Sequence, residues 1–346
     1  MKYFKKLLFC SMLMLAFVAC NKEDKTEFKQ SEPKQYSRED YGYKGDVKSS
    51  YEESYGLNYQ TGEIQIIGST SLEFNKQGFL SDFKYSSADG LYVYQSKFAY
   101  NDRNECITRK DDNLIDGEKS NIEEKFEYDR NGNCTMIIRQ LYDGISHYTT
   151  YNKYKGNNLV STEIYEVYEN GDKILEEKST YEYSKSGFNT KIVAEYYENG
   201  VPVNTDVTEN EYDDKGNVIC MKFLDLNNNL LSSCKYKYNE NDREIECAVF
   251  NSDGELESKL EYVYNEEDCC VENRSYYKDT LNSSTLFKYD EHKNILECVR
   301  IDYEMATKET DYYEYVYDEH DNIIEYYSYD SNRNLITSYK RTITYY

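Results

Sequence analysis

An aromatic residue closes a short apolar-polar-aromatic run at Phe74, Tyr100, Tyr128, Tyr154, Tyr183, Tyr212, Tyr238, Tyr264, Tyr289, Tyr317 and Tyr345, and a polar turn follows nearly every one. The spacing stays between 25 and 29 residues. Self-similarity at such a period means one supersecondary unit copied along the chain, stable only because its neighbours stack on it. At most of these anchors an apolar or aromatic residue stands two positions earlier, as in Phe98 and Tyr100 or Tyr262 and Tyr264, with a polar residue between. Period two is strand periodicity, and it places the aromatics on one face. Asn152 and Asn210 interrupt the pattern, which predicts weaker strands there. A second run and a second turn, such as Glu169-Asn170-Gly171 or Ser252-Asp253-Gly254, complete the unit.

The expected fold is therefore all-β: tandem β-hairpin repeats, about ten units and twenty strands, forming one long antiparallel meander over residues 51–346. Laid flat, such a sheet leaves one aromatic face wet, so twist is expected to curl it into a barrel-like or spiral sheet. Of the apolar residues, 41 are tyrosines, against 13 phenylalanines and no tryptophan, so the core must lean on rings with hydroxyls reaching partners at the edges.

The first turn carries a family resemblance. Tyr128-Asp129-Arg130-Asn131-Gly132-Asn133 and Tyr212-Asp213-Asp214-Lys215-Gly216-Asn217 match Tyr-Asp-x-x-Gly-Asn, and so resemble the YD repeats of Rhs-type bacterial proteins. Asp is expected to cap the turn backbone, and Gly to take the left-handed conformation. The turns at Tyr289 and Tyr317 keep the ends but place Lys293 and Asp321 at the glycine position, which requires a strained backbone or another turn. The Tyr-Glu-Asn-Gly turns also resemble, more weakly, the short repeats of YwqK-like and MORN-like proteins. Rhs proteins are much longer and often carry a toxic tail; this chain ends on an anchor, which leads us to expect no such tail.

The first 19 residues, with Lys2, Lys5 and Lys6 before an apolar run from Leu7 to Ala19, read as a signal peptide. Phe17-Val18-Ala19-Cys20 resembles a bacterial lipobox, which implies lipid attachment at Cys20 and a membrane partner through that anchor. Asn21-Lys22-Glu23-Asp24 resembles the export signal of some surface lipoproteins, leaving an envelope location facing either the periplasm or the exterior. Residues 20–50 are expected to form the lipidated cysteine and a disordered polar tether, since Asn21 to Asp46 holds no Leu, Ile, Val, Met or Ala.

The net charge of −24 argues against nucleic acid as a partner, because phosphate binding needs a basic surface. Registering Tyr238 against Arg243 sets Lys237 on Glu244, Lys235 on Glu246 and Cys234 on Cys247, so Cys234 and Cys247 are the disulfide candidates. The other mature cysteines read as small half-buried apolar side chains. No cysteine spacing resembles a metal site, no cofactor is expected, and Asp225 to Asn229 and Asp330 to Asn334 read as turns rather than calcium loops. His147, His292 and His320 are the near-neutral bases on offer, and the last two share one turn position, as copying produces. No catalytic residue is singled out. Tyr196, Tyr276, Tyr312 and Tyr326, each beside an inward aromatic, are the ligand-binding candidates, taken to point outward where rings stack on sugars or anchor a protein. The leading expectation is a non-enzymatic envelope protein binding a carbohydrate or an envelope protein. The rivals are a hydrolytic enzyme with its site in a groove, and an inhibitor or immunity partner of a toxin.

Overall fold

A computed structural model describes residues 36–140 and 146–346, all strands and turns, with 22 antiparallel strands and no helix among the described residues. The strands run from Val47–Leu57 to Leu335–Tyr345, belong to one sheet, and follow one another as hairpins. The first also pairs with the last, Ser50 opposite Ile343 and Tyr55 opposite Ser338, so the meander closes with the topology of a β-barrel. The expected fold class is thus met. The chain divides into two compact units: the described parts of Ser31–Glu182 with Ile192–Asp206 and Asp311–Tyr346, and Tyr183–Lys191 with Val207–Thr310.

The anchor turn is built as its residues dictate. In the first unit Asp129 Oδ1 accepts from the backbone N–H groups of Asn131 (2.8 Å) and Asn133 (3.0 Å), and Asn133 Nδ2 donates to Asp129 Oδ2 (2.9 Å). In the second unit Asp213 does the same for Lys215 and Asn217. Gly132 and Gly216 sit at φ 87° and 90°. Lys293 and Asp321 hold the same turn at φ 68° and 61°, the strained backbone anticipated for them. The carboxylates of Asp225 and Asp330 are occupied by their own turns, receiving the amides of Asn229 and Asn334.

A β-bulge falls at most anchors: register shifts between Glu73 and Phe74, Ala99 and Tyr100, Glu127 and Tyr128, Lys237 and Tyr238, and Val316 and Tyr317. Each leaves one extra residue on the following strand and increases the local twist. Beyond it the anchor tyrosine reaches back one repeat. Tyr100, Tyr128 and Tyr154 donate their hydroxyls to the carbonyls of Leu80, Cys106 and Cys134, at 2.7, 2.7 and 3.1 Å. In the second unit Tyr212, Tyr238 and Tyr264 do so to Asn189, Val218 and Glu244. Burial of the ring is thereby coupled to satisfaction of its polar end, and successive hairpins are fixed side by side.

The expectation that the tether runs to residue 50 is corrected. Residues 36–46 are packed: Tyr43 is 4 % exposed and lies edge-on to Phe74 at 5.7 Å, and Tyr36 meets Phe98 at 5.6 Å. Val47 is fully buried. Asn322 binds the backbone of Lys44 twice, receiving its N–H and donating to its carbonyl. Tyrosine supplies the apolar surface that a search for aliphatics overlooks. The signal peptide, Cys20 and the start of the tether lie outside the described residues. Asn152 does not weaken its strand: it is 5 % exposed, donates to the Cys134 carbonyl and accepts from Thr162 Oγ1.

Candidate functional site

The two faces of the sheet differ. On the anchor face of the first unit, Leu72, Phe74 and Leu80 join Tyr43 and Val47 in one cluster, and Cys106, Phe126 and Cys134 form another. Burial pushes the Cys106 thiol up to about 11. The opposite face of that unit carries rings paired with acids. Tyr55 donates to Glu53 (2.9 Å), Tyr165 to Glu163 (3.1 Å) and Tyr327 to Glu325. Tyr197, beside Tyr165 and Glu163, donates to Glu195. In each case ring and acid are two residues apart on one strand, so both project from the same face. The hydrogen bond to Glu325 holds the Tyr327 hydroxyl up at about 12. The phenol is thereby held by a carboxylate of its own strand. The Glu-x-Tyr spacing is the signal in the sequence that reveals this pattern.

The four candidate tyrosines separate. Tyr276 and Tyr312 lie opposite the anchors, as expected: Tyr276 pairs with Lys259 and Tyr312 with Tyr329. Tyr276 donates to Glu261 (2.8 Å) beneath the Lys259 ammonium, which is 4.2 Å from its ring centroid. The Arg333 guanidinium covers Tyr312 at 3.4 Å. Such stacking on a cation holds each ring in place. Tyr326 instead faces the anchors. It stands across from Tyr315 and Tyr339 and stacks on Tyr339 at 5.2 Å. Tyr196 neighbours the buried anchor-face Tyr181 and hydrogen-bonds Asp206, and burial pushes its hydroxyl up to about 12. Both outward assignments are corrected. A bulge reverses the parity that alternation alone extrapolates, as between Val316 and Tyr317, where Tyr317 pairs with Ile323 and Tyr315 with Tyr326.

The proposed cysteine pairing is corrected for the same reason. Lys237 pairs with Glu246, Tyr236 with Cys247 and Cys234 with Val249, so the two cysteines sit diagonally, and both are free thiols. Lys237 and Glu246 form the ion pair, at 2.9 Å. Around them in the second unit is a half-buried cluster of titratable side chains that the sequence does not reveal. Burial raises Glu244 to about 7. Burial, then Glu244, brings Cys247 to about 12, and burial raises Tyr236 and Tyr262 as well. His292 and His320 occupy turns, their backbone N–H groups donating to Asp290 and Asp318, and His320 stacks on Tyr345 at 4.2 Å. Among the described residues no group of His, Cys, Asp and Glu side chains is arranged to hold a metal ion.

No family model matches the chain, and no curated protein matches it. Among solved structures it is similar to a TcdB2-TccC3-Cdc42 structure, with 9 % identity and a TM-score of 0.26, over 78 % of this chain and 22 % of that one. The chain thus spans about a fifth of that structure's length. It is also similar to a porin-like protein from Bacteroides uniformis ATCC 8492, with 11 % identity, a TM-score of 0.30, and 87 % and 99 % of the two chains covered. A porin-like protein from Bacteroides vulgatus ATCC 8482 aligns at 13 % identity with a TM-score of 0.25, over 65 % of this chain and 94 % of that one.

Proposed function

We propose that this is a non-enzymatic protein of the bacterial cell envelope, lipid-anchored at Cys20, whose repeat array presents a binding surface for a carbohydrate or protein ligand. The observation that carries the reading is the face of tyrosines whose hydroxyls are held by carboxylates of the same strand, at Tyr55, Tyr165, Tyr197 and Tyr327. Rings fixed in this way lose little rotamer freedom when a partner packs on them, and rigid aromatics dominate interface energetics. The acidic balance directs the surface toward neutral or basic partners.

Hydrolysis has one observation in its favour, the raised Glu244 carboxyl. That group is half-buried beside Tyr238 and Tyr262 and is not among the residues lining the hollows at Tyr100 and Tyr212. The test is a binding screen of the full chain against neutral and acidic glycans and against solubilised envelope proteins. We expect at least one saturable ligand whose affinity falls in the Tyr165→Ala/Tyr327→Ala double variant; silence across both libraries contradicts the reading.

A further inference from the structure

Two hollows, of about 430 and 380 Å³, open beside turns. They are built from the same positions of two different repeats. Asn75, Gln77, Ser81, Phe98, Tyr100 and Asp102 line the first; Ser184, Ser186, Thr190, Asn210, Tyr212 and Asp214 line the second. The members correspond one to one when Phe79 is aligned with Phe188 and Tyr100 with Tyr212. The fifth residue after the anchor sets these two repeats apart. That position holds Glu105, Asn133, Leu159, Asn217, Arg243, Cys269, Asn294 and Asn322 elsewhere, but phenylalanine at 79 and 188.

Where the residue is polar, several examples bridge to the next turn. Asn133 Nδ2 donates to the Gly156 carbonyl (3.2 Å), Asn217 Nδ2 to Asp242 Oδ1 (3.1 Å), and Arg243 pairs with Asp268 (3.5 Å). Phenylalanine has no group with which to do so. Phe79 packs instead on the next anchor, Tyr100, with centroids 5.4 Å apart, and Phe188 stacks on Tyr212 at 5.0 Å with the planes 19° apart. The gap between successive turns stays open, walled on one side by an anchor ring whose hydroxyl is fixed to the Leu80 or Asn189 carbonyl.

We infer that these two hollows are copies of one subsite, each taking a neutral sugar residue of a glycan. The hollows lie at the anchor rings, on the other face of the sheet from Tyr165 and Tyr327, so the inference goes beyond the proposed tyrosine surface and adds a separate site with its own ligand class. A pyranose has an apolar C–H face that packs on a ring, and a rim of hydroxyls that donate to carboxylates and amides and accept from hydroxyls and amides. Both hollows offer that combination: a ring wall, hydroxyl or amide side chains at Ser81 and Gln77 or Thr190 and Ser186, and the turn carboxylates Asp102 and Asp214. Among the described residues lining either hollow there is no lysine or arginine, and the second adds Glu211 and Asp213. Phosphorylated or uronic sugars are therefore repelled. The volumes lie in the range of small-ligand pockets. The copies also differ, since Phe98 in the first is replaced by Asn210 in the second, whose Oδ1 atom is buried without a donor. That exchange makes the second site the more polar one.

The experiment titrates the full chain with cellohexaose, laminarihexaose, maltohexaose and mannohexaose, with polygalacturonate as the anionic control. The variants are Ser81→Trp, Thr190→Trp, their combination, and Asp102→Ala/Asp214→Ala. We expect at least one neutral hexasaccharide to bind with two sites per chain, each tryptophan to remove one site, and the combination to remove both at unchanged strand content. Loss of the two turn carboxylates is expected to weaken binding by roughly tenfold. Glycan binding that persists in the double tryptophan variant overturns the hollows while leaving the binding function standing. Preference for polygalacturonate overturns the ligand class. Binding of envelope protein alone, with no response to any hexasaccharide, overturns the sugar site and again spares the broader reading.

Discussion

The turn at Asp129 to Asn133 and the turn at Ser184 to Phe188 share length and left-handed glycine, yet they leave their surroundings in opposite states. The first ends in Asn133, 6 % exposed, with its amide bound both to its own Asp129 and to the next turn at Gly156. The second ends in Phe188, which meets Tyr212 and leaves a hollow. One side chain decides whether the space between repeats is spanned by hydrogen bonds or left to a ligand. A repeat protein can thus acquire sites without altering its scaffold, since the strands and bulges on either side stay as they are.

The comparison is most strongly tested beneath the phenylalanine turns. Leu80 follows Phe79 and is 1 % exposed, whereas the residue at its place after Phe188 is the half-buried Asn189. Leu80→Ala is expected to cost about 3 kcal/mol in urea unfolding, in the range for buried leucines. Asn189→Ala is expected to cost well under half of that, because it also removes an amide oxygen that lacks a donor. Equal losses at the two positions break the assignment of one as core and the other as a half-buried polar position.

The same row holds Glu244 after Arg243, and its effect is read in pH. Its folded pKa, about 7, lies above the ordinary glutamate value of 4.5 because burial disfavours the carboxylate. The folded state therefore holds the proton more tightly, so this group's contribution is fully present below about pH 4.5 and is lost as pH rises to about 7. Stability measured between those values is expected to fall more steeply in the wild type than in Glu244→Gln, by a difference of order 2–3 kcal/mol. Parallel curves remove Glu244 from the interior.

A smaller effect separates the glycines. Gly132→Ala meets only Glu105 Oε1 at 3.3 Å, but a Cβ on Gly216 lies 2.6 Å from the Phe188 ring. Both substitutions incur the left-handed penalty of about 1–2 kcal/mol. Gly216→Ala must also displace the ring, so its thermal midpoint is expected to fall further than that of Gly132→Ala. The reverse order would mean that Phe188 does not rest on the turn of the next repeat.

Much of this was legible in the chain. Anchor spacing, period-two runs and Asp-x-x-Gly-Asn turns specify hairpins, and even the left-handed Lys293 and Asp321 follow from the alignment of repeats. What alternation does not encode is the bulge. One extra residue at an anchor preserves every local preference yet shifts the register, which separates Cys234 from Cys247 and turns Tyr326 toward the core. Residues 36–46 were illegible for a different reason: their burial rests on contacts with Phe74, Phe98 and Asn322, hundreds of positions away in the last case. The hollows left a trace in the sequence, Gly78-Phe79 and Gly187-Phe188, as departures from the Gly-Asn ending, but their meaning depends on the anchor of the next repeat.

The most direct test converts the two kinds of turn into one another. Phe79→Asn/Phe188→Asn restores the common ending at both places, and the full chain is then titrated with the neutral hexasaccharide that the unchanged protein binds. The account predicts an unchanged far-ultraviolet strand spectrum with loss of both binding sites. Two sites of unchanged affinity in the asparagine variant would contradict it.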